Sequence, residues 1–251
     1  MVSGDKASHG RAAVGMLVAA EPKKLKIQRQ QLTILVGADL HDSRQGLDWF
    51  TAQATALQPK LLVFLGDFTT NGPISFVSEV LRELRMLAPS TFVIPGNWDP
   101  RDALSRLDTE AFDGLKHLHK HTTMLGGYMF VGLGGSETTL VGTTPMEMPD
   151  KLLAAPLPTL LPADVWLLHN PVFGFNDQLG SGENVGSKEL LAIYRQQVEP
   201  PILIMSGHIH DAYGVAHHNH TTFINPGSLQ EMRAAWVVLD DGKVEVELLR
   251  G

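Results

Sequence analysis

From residue 32 the chain repeats one pattern: a short apolar run, a break at Gly or Pro, and an amphipathic stretch leading into the next apolar run. QLTILVGADLH is followed by LDWFTAQATALQP, which has helical spacing and stops at Pro59, and LLVFLGDF then gives a second apolar strand. SFVSEVLRELRML places Phe76, Val80, Leu84 and Leu87 at helical spacing, with Ser75 as a cap, before TFVIPGN supplies a third strand. Strand, helix, strand, helix, strand at this spacing implies a parallel βαβαβ unit in an α/β fold.

The second half is richer in β structure. TTMLGGYMFVGLGG reads as a hairpin turning at Gly-Gly, and VWLLHN, PILIMSGHIH, YGVAHH, TFINPG and AAWVVLDDGKVEVELL read as further strands. TTPMEMPDKLLAAPLPTLLP, rich in Pro and Thr, is expected to wrap the surface, and SKELLAIYRQQV to form a helix opened by Ser187. Residues 31–251 are thus expected to form one domain, preceded by a flexible extension over residues 1–30. Within that extension Arg11 precedes AAVGMLVAA, a nine-residue apolar run in the range of a weak secretory signal and far too short to span a bilayer. The expectation is a frayed tail or an upstream start, with Met16 as an alternative initiator.

Composition removes several chemistries. The 251 residues include no cysteine, which excludes disulfides, thiolate metal sites and cysteine nucleophiles and fits a reducing, cytoplasmic setting. A net charge of -7 argues against binding along a nucleic acid polymer, which calls for a basic stripe. A small anionic substrate stays open, because bound cations dominate the local field.

Polar residues recur where the strands end. LVGADLH ends in Asp39 and His41, FLGDF delivers Asp67, FVIPGNWD delivers Asn97, VWLLHN delivers His169, and LIMSGHIH delivers His208 and His210. Carboxyl ends of parallel strands are where α/β proteins place ligands. In extended backbone residues i and i+2 point the same way, so Asp39 with His41, and His208 with His210, are each expected to aim at one centre. Seven side chains offering only oxygen and imidazole donors exceed the needs of one catalytic metal. They suit two divalent ions roughly 3.5 to 4 Å apart that share a carboxylate and clamp a phosphoryl group. Each piece alone is ordinary, since a lone His after a strand is more often a satisfied structural residue; the ordered set carries the signal.

In that order the residues resemble the calcineurin-like metallophosphoesterases. D39-L-H41, G66-D67, G96-N97-W98-D99, H169 and G207-H208-I209-H210 carry the resemblance, which runs from about residue 32 to the end. Within the family, GDFTTNGP, IPGNWDP, FVGLGGSETT, ENVGSKEL and INPGS resemble the predicted phosphoesterases related to bacterial Icc proteins. The resemblance implies a four-layer αββα sandwich with two divalent ions, manganese, iron or zinc, at the strand ends. It implies one ion held by Asp39, His41, Asp67 and His210, and a second by Asp67, Asn97, His169 and His208. Asp67 is then the bridge, Asn97 binds through its amide oxygen, and a bridging hydroxide attacks phosphorus. The implied activity is hydrolysis of a small phosphate ester, a phosphodiester in the first instance and a cyclic nucleotide as one candidate. A phosphomonoesterase is the nearest alternative, a non-catalytic scaffold of the same fold a further one, and the chain is open to oligomer formation.

Trp98 departs from the family's Gly-Asn-His-Asp. The absent His is a leaving-group acid in that pattern, and general acid catalysis is worth about 10²- to 10⁴-fold. An enzyme lacking it favours leaving groups that need little protonation or recruits another donor. The Trp98 indole either packs under its loop or lines the substrate pocket and stacks on a base or aromatic group. Asp99 is expected to support the loop or a metal-bound water rather than bind metal.

Other motifs carry less. His117, His119 and His121 in KHLHKH, and His217, His218 and His220 in HHNH, read as exposed strand and turn histidines, with His218 or His220 a substitute acid if the hairpin after His210 folds back over the ions. GLGGSE fails as a dinucleotide fingerprint because Glu137 stands where the last Gly is needed. Gly186 and Ser187 are expected either to contact phosphate at a helix N-terminus or, for Ser187, simply to cap it. Asn225 in NPGS either supports the metal loops or makes a turn.

Overall fold

A computed structural model describes residue 1 and residues 28–70, 72–102, 114–138 and 144–251. The apolar run at 12–20, with Met16, lies outside the described residues. The first four strands, β1 (Leu32–Gly37), β2 (Leu61–Phe64), β3 (Ser90–Val93) and β4 (Leu115–His117), are parallel neighbours. Helices α1 (Arg44–Leu57) and α2 (Ile74–Arg85) make the first two crossovers, so the βαβαβ expectation holds. Register aligns Val36 with Val63, and Val63 with Phe92, which brings the carboxyl ends of β1, β2 and β3 to one edge.

A second sheet follows from β5 (Thr122–Leu125) and β6 (Tyr128–Leu133), the hairpin turning at Gly126-Gly127. The short strands β7 (Ser136–Glu137) and β8 (Glu147–Met148) pair with each other, and α3 (Asp150–Ala154) leads to β9 (Val165–Leu168). After α4 (Lys188–Arg195) come β10 (Leu203–Ser206), β11 (Gly214–His218) and β12 (Thr221–Asn225). The sheet order is β11-β12-β10-β9-β6-β5, parallel except at its two edge strands. The last hairpin, β13 (Arg233–Asp240) and β14 (Lys243–Arg250), returns to the first sheet, where β13 lies antiparallel to β1.

The strands bury both faces. Ile34, Val36, Val63, Leu65 and Ile94 of the first sheet meet Phe130, Leu167, Met205 and Ile224 of the second. Their alternates Leu35, Leu62 and Phe64 pack under Leu47, Phe50, Val80 and Leu84 from α1 and α2. On the far side Trp166, Leu168 and Ile204 pack under Leu153, Leu157, Leu190 and Tyr194. Helices, sheet, sheet, helices is the expected four-layer αββα sandwich, and each fully buried Leu or Phe contributes about 1.5–3 kcal/mol to it. Among the described residues no helix is long and apolar enough to cross a membrane.

Three local expectations change. Helix α2 begins at Ile74 after Pro73, whose extended backbone (φ -69°, ψ 150°) sets the entry without any side-chain cap, so Ser75 is not the cap. The Pro-rich stretch over its described residues 144–162 does not merely wrap the surface: Leu153, Ala154 and Leu157 are buried against the second sheet. Helix α1 starts at Arg44, three residues before Leu47, because the Ser43 side chain accepts a hydrogen bond from Gly46 N.

Candidate metal centre

The loops that leave β1 and β2 are tied to each other before they carry any chemistry. Asp39 N donates to Gly66 O at 2.9 Å, and Leu40 N and His41 N donate to Asp67 O at 2.8 and 3.1 Å. A side chain on Gly66 or Gly96 has nowhere to go, since a Cβ would stand 2.2 Å from Gly96 N in the first case and 2.0 Å from Asp67 Oδ1 in the second. This contact between two glycines sets the Asp67 and Asn97 loops back to back.

The loops are not extended. Asp39 (φ 55°), His41 (47°), Asp67 (55°) and His208 (69°) all take left-handed backbone, which costs about 1–3 kcal/mol each and persists where surrounding bonds over-determine it. The i, i+2 expectation is corrected accordingly. Asp39 and His41 do reach one group, together with His210, but His208 joins Asp67 and His169 in a second group. The turn at His208 swings its ring away from that of His210.

All seven residues meet at one edge of the sandwich. His210 Nε2 lies 3.7 Å from Asp39 Oδ1, and the His41 and His210 rings are 5.2 Å apart. In the other group the His169 and His208 rings are 5.0 Å apart. Between them stands Asp67, whose Oδ2 is 3.6 Å from His41 Nε2 and 3.3 Å from His169 Nε2. Asn97 presents Oδ1 at 2.9 Å from His169 Nε2 while its Nδ2 donates to Thr144 Oγ1 at 3.2 Å.

The donor set fits cations. His169 Nδ1 sits 2.7 Å from the Leu65 carbonyl, which fixes its proton there and turns the Nε2 lone pair toward two oxygens, Asn97 Oδ1 and Asp67 Oδ2. Lone pair against lone pair is repulsive unless a positive charge sits between them. Without an ion the protein supplies that charge by protonation: burial works against it, but the Asp67 carboxylate prevails and pushes His169 up to about 9. Burial and the neighbouring His169 push His208 down to about 4, so one imidazole of this group carries the proton. His210 is raised chiefly by its bond to Asp39 against the effect of burial, whereas burial lowers His41.

Around these groups a set of polar contacts holds the loops. Asp99 is fully buried; its Oδ2 accepts from Gly96 N at 2.7 Å and Asp67 N at 2.9 Å, and its Oδ1 from Phe68 N at 2.9 Å. Burial, then the Asp67 carboxylate, push it up to about 7, and the backbone donors oppose that rise. Asp39 accepts from His208 N at 3.0 Å, and Asp39 O accepts from Ser228 Oγ at 2.7 Å. Asn225 makes the turn and supports the loop at once: its Oδ1 accepts from Gly227 N and its Nδ2 donates to Ile209 O, both at 2.9 Å. Trp98 is half-buried, and its backbone N–H donates to Asp67 Oδ1 at 2.9 Å, so the residue helps orient the carboxylate whatever its indole touches.

Two expectations lose their footing. Gly186 N donates to Asp177 Oδ2, Glu189 N to Asp150 Oδ2, and the buried Ser187 hydroxyl bonds Asp150 while capping Leu190 N. The protein's own carboxylates fill the place where a phosphate contact was expected. His218 pairs with Thr221 at the amino end of β12, the end opposite Asn225, and its ring lies 5.6 Å from that of Phe175. It and the adjoining His220 are therefore remote from the ions' loops and are no substitute acid. Sequence reasoning missed Thr70, 3.0 Å from His41 Nδ1, together with Thr144 and Ser228. Ser228 had a signal in the NPGS motif; the two threonines had none.

Known proteins share this fold. A family model for the calcineurin-like phosphoesterases matches residues 32–212. A stretch of 68 residues is 40% identical to the Caenorhabditis elegans protein UPF0046 T07D4.2; it covers 26% of this chain and spans only 17% of that protein's length. Among solved structures, TT1561 of Thermus thermophilus superposes with a TM-score of 0.66 at 18% identity, over 87% of this chain and 99% of that one. A dimetal phosphatase from Danio rerio does so at 0.59 and 14% identity, over 88% and 96% of the two chains. An archaeal phosphodiesterase gives 0.51 and 12%, over 87% of this chain and all of that one. These identities speak to the fold alone, but the family match covers most of the chain, and it ends where the site does, just past His210: the chain belongs to the calcineurin-like phosphoesterases.

Proposed function

We propose that the protein hydrolyses small phosphodiesters at a centre of two divalent ions, one held by Asp39, His41, Asp67 and His210 and the other by Asp67, Asn97, His169 and His208. The observation that carries the reading is Asp67 Oδ2, which faces His41 Nε2 at 3.6 Å and His169 Nε2 at 3.3 Å and so stands between the two groups. Bound there, two such ions supply a hydrolytic nucleophile and neutralise the phosphoryl oxygens. The side chains supply the rest: Asp67 is the shared anion, Asn97 an amide oxygen oriented by Thr144, and His169 a lone pair aimed by the Leu65 carbonyl. Manganese, iron and zinc all suit this mixture of imidazole, carboxylate and amide.

A preference for diesters is supported by Trp98, which leaves no imidazole in the position of the family's leaving-group acid, and by a structural neighbour that is itself a phosphodiesterase. The neighbouring dimetal phosphatase keeps the monoester reading as its rival. Rates on bis-aryl and mono-aryl phosphate with added manganese decide between them, and faster turnover of the monoester would sink the diester reading. We further take residues 31–251 as one domain, supported by the return of β13 to pair with β1, and a cytoplasmic setting, supported by the absence of cysteine.

A further inference from the structure

Beside His210 lies a groove of about 420 Å³ that the two ion groups do not use. Asn176, Gln178, Gly180, Asn184, Asp211 and Tyr213 are among the residues that line it. Its walls are tied to the metal loop. Asp211 directly follows His210 and accepts from Gly180 N at 3.0 Å, while Asn225 Nδ2 reaches both Ile209 O at 2.9 Å and Asn176 O at 3.5 Å. The groove and the His208–His210 turn therefore form one bonded unit, and whatever fills the groove lies next to the ions.

Two of its groups lack what the fold gives other buried polar atoms. Asn176 Oδ1 and Asn184 Oδ1 are buried and have no hydrogen-bond partner among the described residues. Such orphans are rare; both oxygens are closed off from the groove as they stand, and each meets a partner there only when its amide turns outward. The Asp211 carboxylate repels the phosphoryl group, which belongs at the ions, so the groove suits an uncharged portion of the ester. An aromatic group finds one ring, Tyr213, which already carries Arg233 at 5.2 Å. A hydroxyl fits better: it donates to Asp211 and, since it both donates and accepts, it meets an Asn amide in either orientation.

Resting on the phosphohydrolase reading above, we propose that this groove binds a hydroxyl-bearing organic group of the ester, a vicinal diol of the ribose or glycerol kind, and selects such substrates for the neighbouring centre. The test uses two probes that differ only in hydroxyls, 4-nitrophenyl glyceryl phosphate and 4-nitrophenyl propyl phosphate. The full-length manganese-loaded protein is expected to favour the glyceryl ester about tenfold in kcat/KM, the scale of one hydrogen bond to a charged group. In Asn184→Ala and Asp211→Asn that ratio is expected to fall toward one. Calorimetric titration with glycerol 1-phosphate and propyl phosphate gives a second readout, with the same preference expected and the same loss in the variants. Hydrolysis of both probes without a hydroxyl preference, or a ratio untouched by either substitution, overturns the groove and leaves the phosphohydrolase standing. Hydrolysis of neither probe, with glycerol 1-phosphate still preferred in binding and that preference lost in the variants, supports the groove and overturns the phosphohydrolase.

Discussion

His41, His169, His208 and His210 and the three histidines of KHLHKH are the same residue type on the same edge-rich fold, yet their surroundings differ at every level. At the strand ends the rings face Asp39 and Asp67 and fall into two groups whose donor atoms converge. In KHLHKH the rings of His119 and His121 stand 6.1 and 6.0 Å from that of His117, and no comparable converging group forms there among the described residues. Backbone makes the difference. His41 and His208 sit at φ 47° and 69°, in turns pinned by bonds to Asp67 and Asp39, whereas His117 closes the short strand β4. Imidazoles at period two do not make a metal site; carboxylates and left-handed turns that fold donors inward do.

The comparison breaks hardest at Asp67, the carboxylate that lies within 3.6 Å of His41 Nε2 and 3.3 Å of His169 Nε2. Asp67→Ala is expected to lower hydrolysis of bis-aryl phosphate by more than the roughly 10- to 100-fold cost of losing an outer-shell partner, and to reduce bound metal by elemental analysis. Full activity without metal would instead make this chain a scaffold. Adding an imidazole at the site is the converse experiment. Trp98→His restores the family's acid and is expected to raise monoester hydrolysis about 10²-fold, the lower end of general acid catalysis. An unchanged monoester rate would show that the missing acid is not what limits the enzyme.

Protonation gives a smaller effect with a definite sign. In the metal-free protein the Asp67 carboxylate, against the pull of burial, holds a proton on His169 up to about pH 9, and a cation must displace it. Metal affinity is therefore expected to strengthen with pH by about tenfold per unit and to level off near pH 9, read by chelator competition. Affinity flat over that range would place the proton elsewhere.

The candidate ligands were legible because each ends an apolar strand, and a parallel sheet turns that sequence pattern into proximity. Their grouping was not legible from spacing alone, only from the family resemblance. Period two suggested that His208 and His210 share a centre, and the left-handed turn at His208, set by the Asp39 carboxylate across 169 positions of sequence, separates them. Thr70 and Thr144 were invisible for the same reason: a lone Thr in a loop has no periodicity, and its contact exists only once the sheets have packed. Ser75 misled because a capping residue two positions after a Pro looks the same whether the helix begins before it or after it. Asp150 hid the true state of Ser187, since nothing in the sequence says that a carboxylate 37 positions away fills the anion place at that helix end.

His119 completes the comparison from the other side, with the smallest effect. Its Nδ1 accepts from Gly134 N at 2.9 Å, and burial, then Lys120, hold its pKa down to about 3. A depressed imidazole favours the unfolded chain wherever that chain alone binds the proton, so the fold loses stability as pH falls from about 6.5 toward 3, by at most about 1.4 kcal/mol per unit. His119→Gln removes the titrating group and replaces the fixed Nδ1 acceptor by a flexible amide that does not hold Gly134 N in the same way. Denaturant melts are expected to show about 1 kcal/mol lost at neutral pH, the worth of one hydrogen bond, and a shallower acid slope than the parent, with bound metal and phosphodiester turnover unaltered. A fall in metal content would mean that this cluster, too, binds ions, and the distinction between the two sets of histidines would fail.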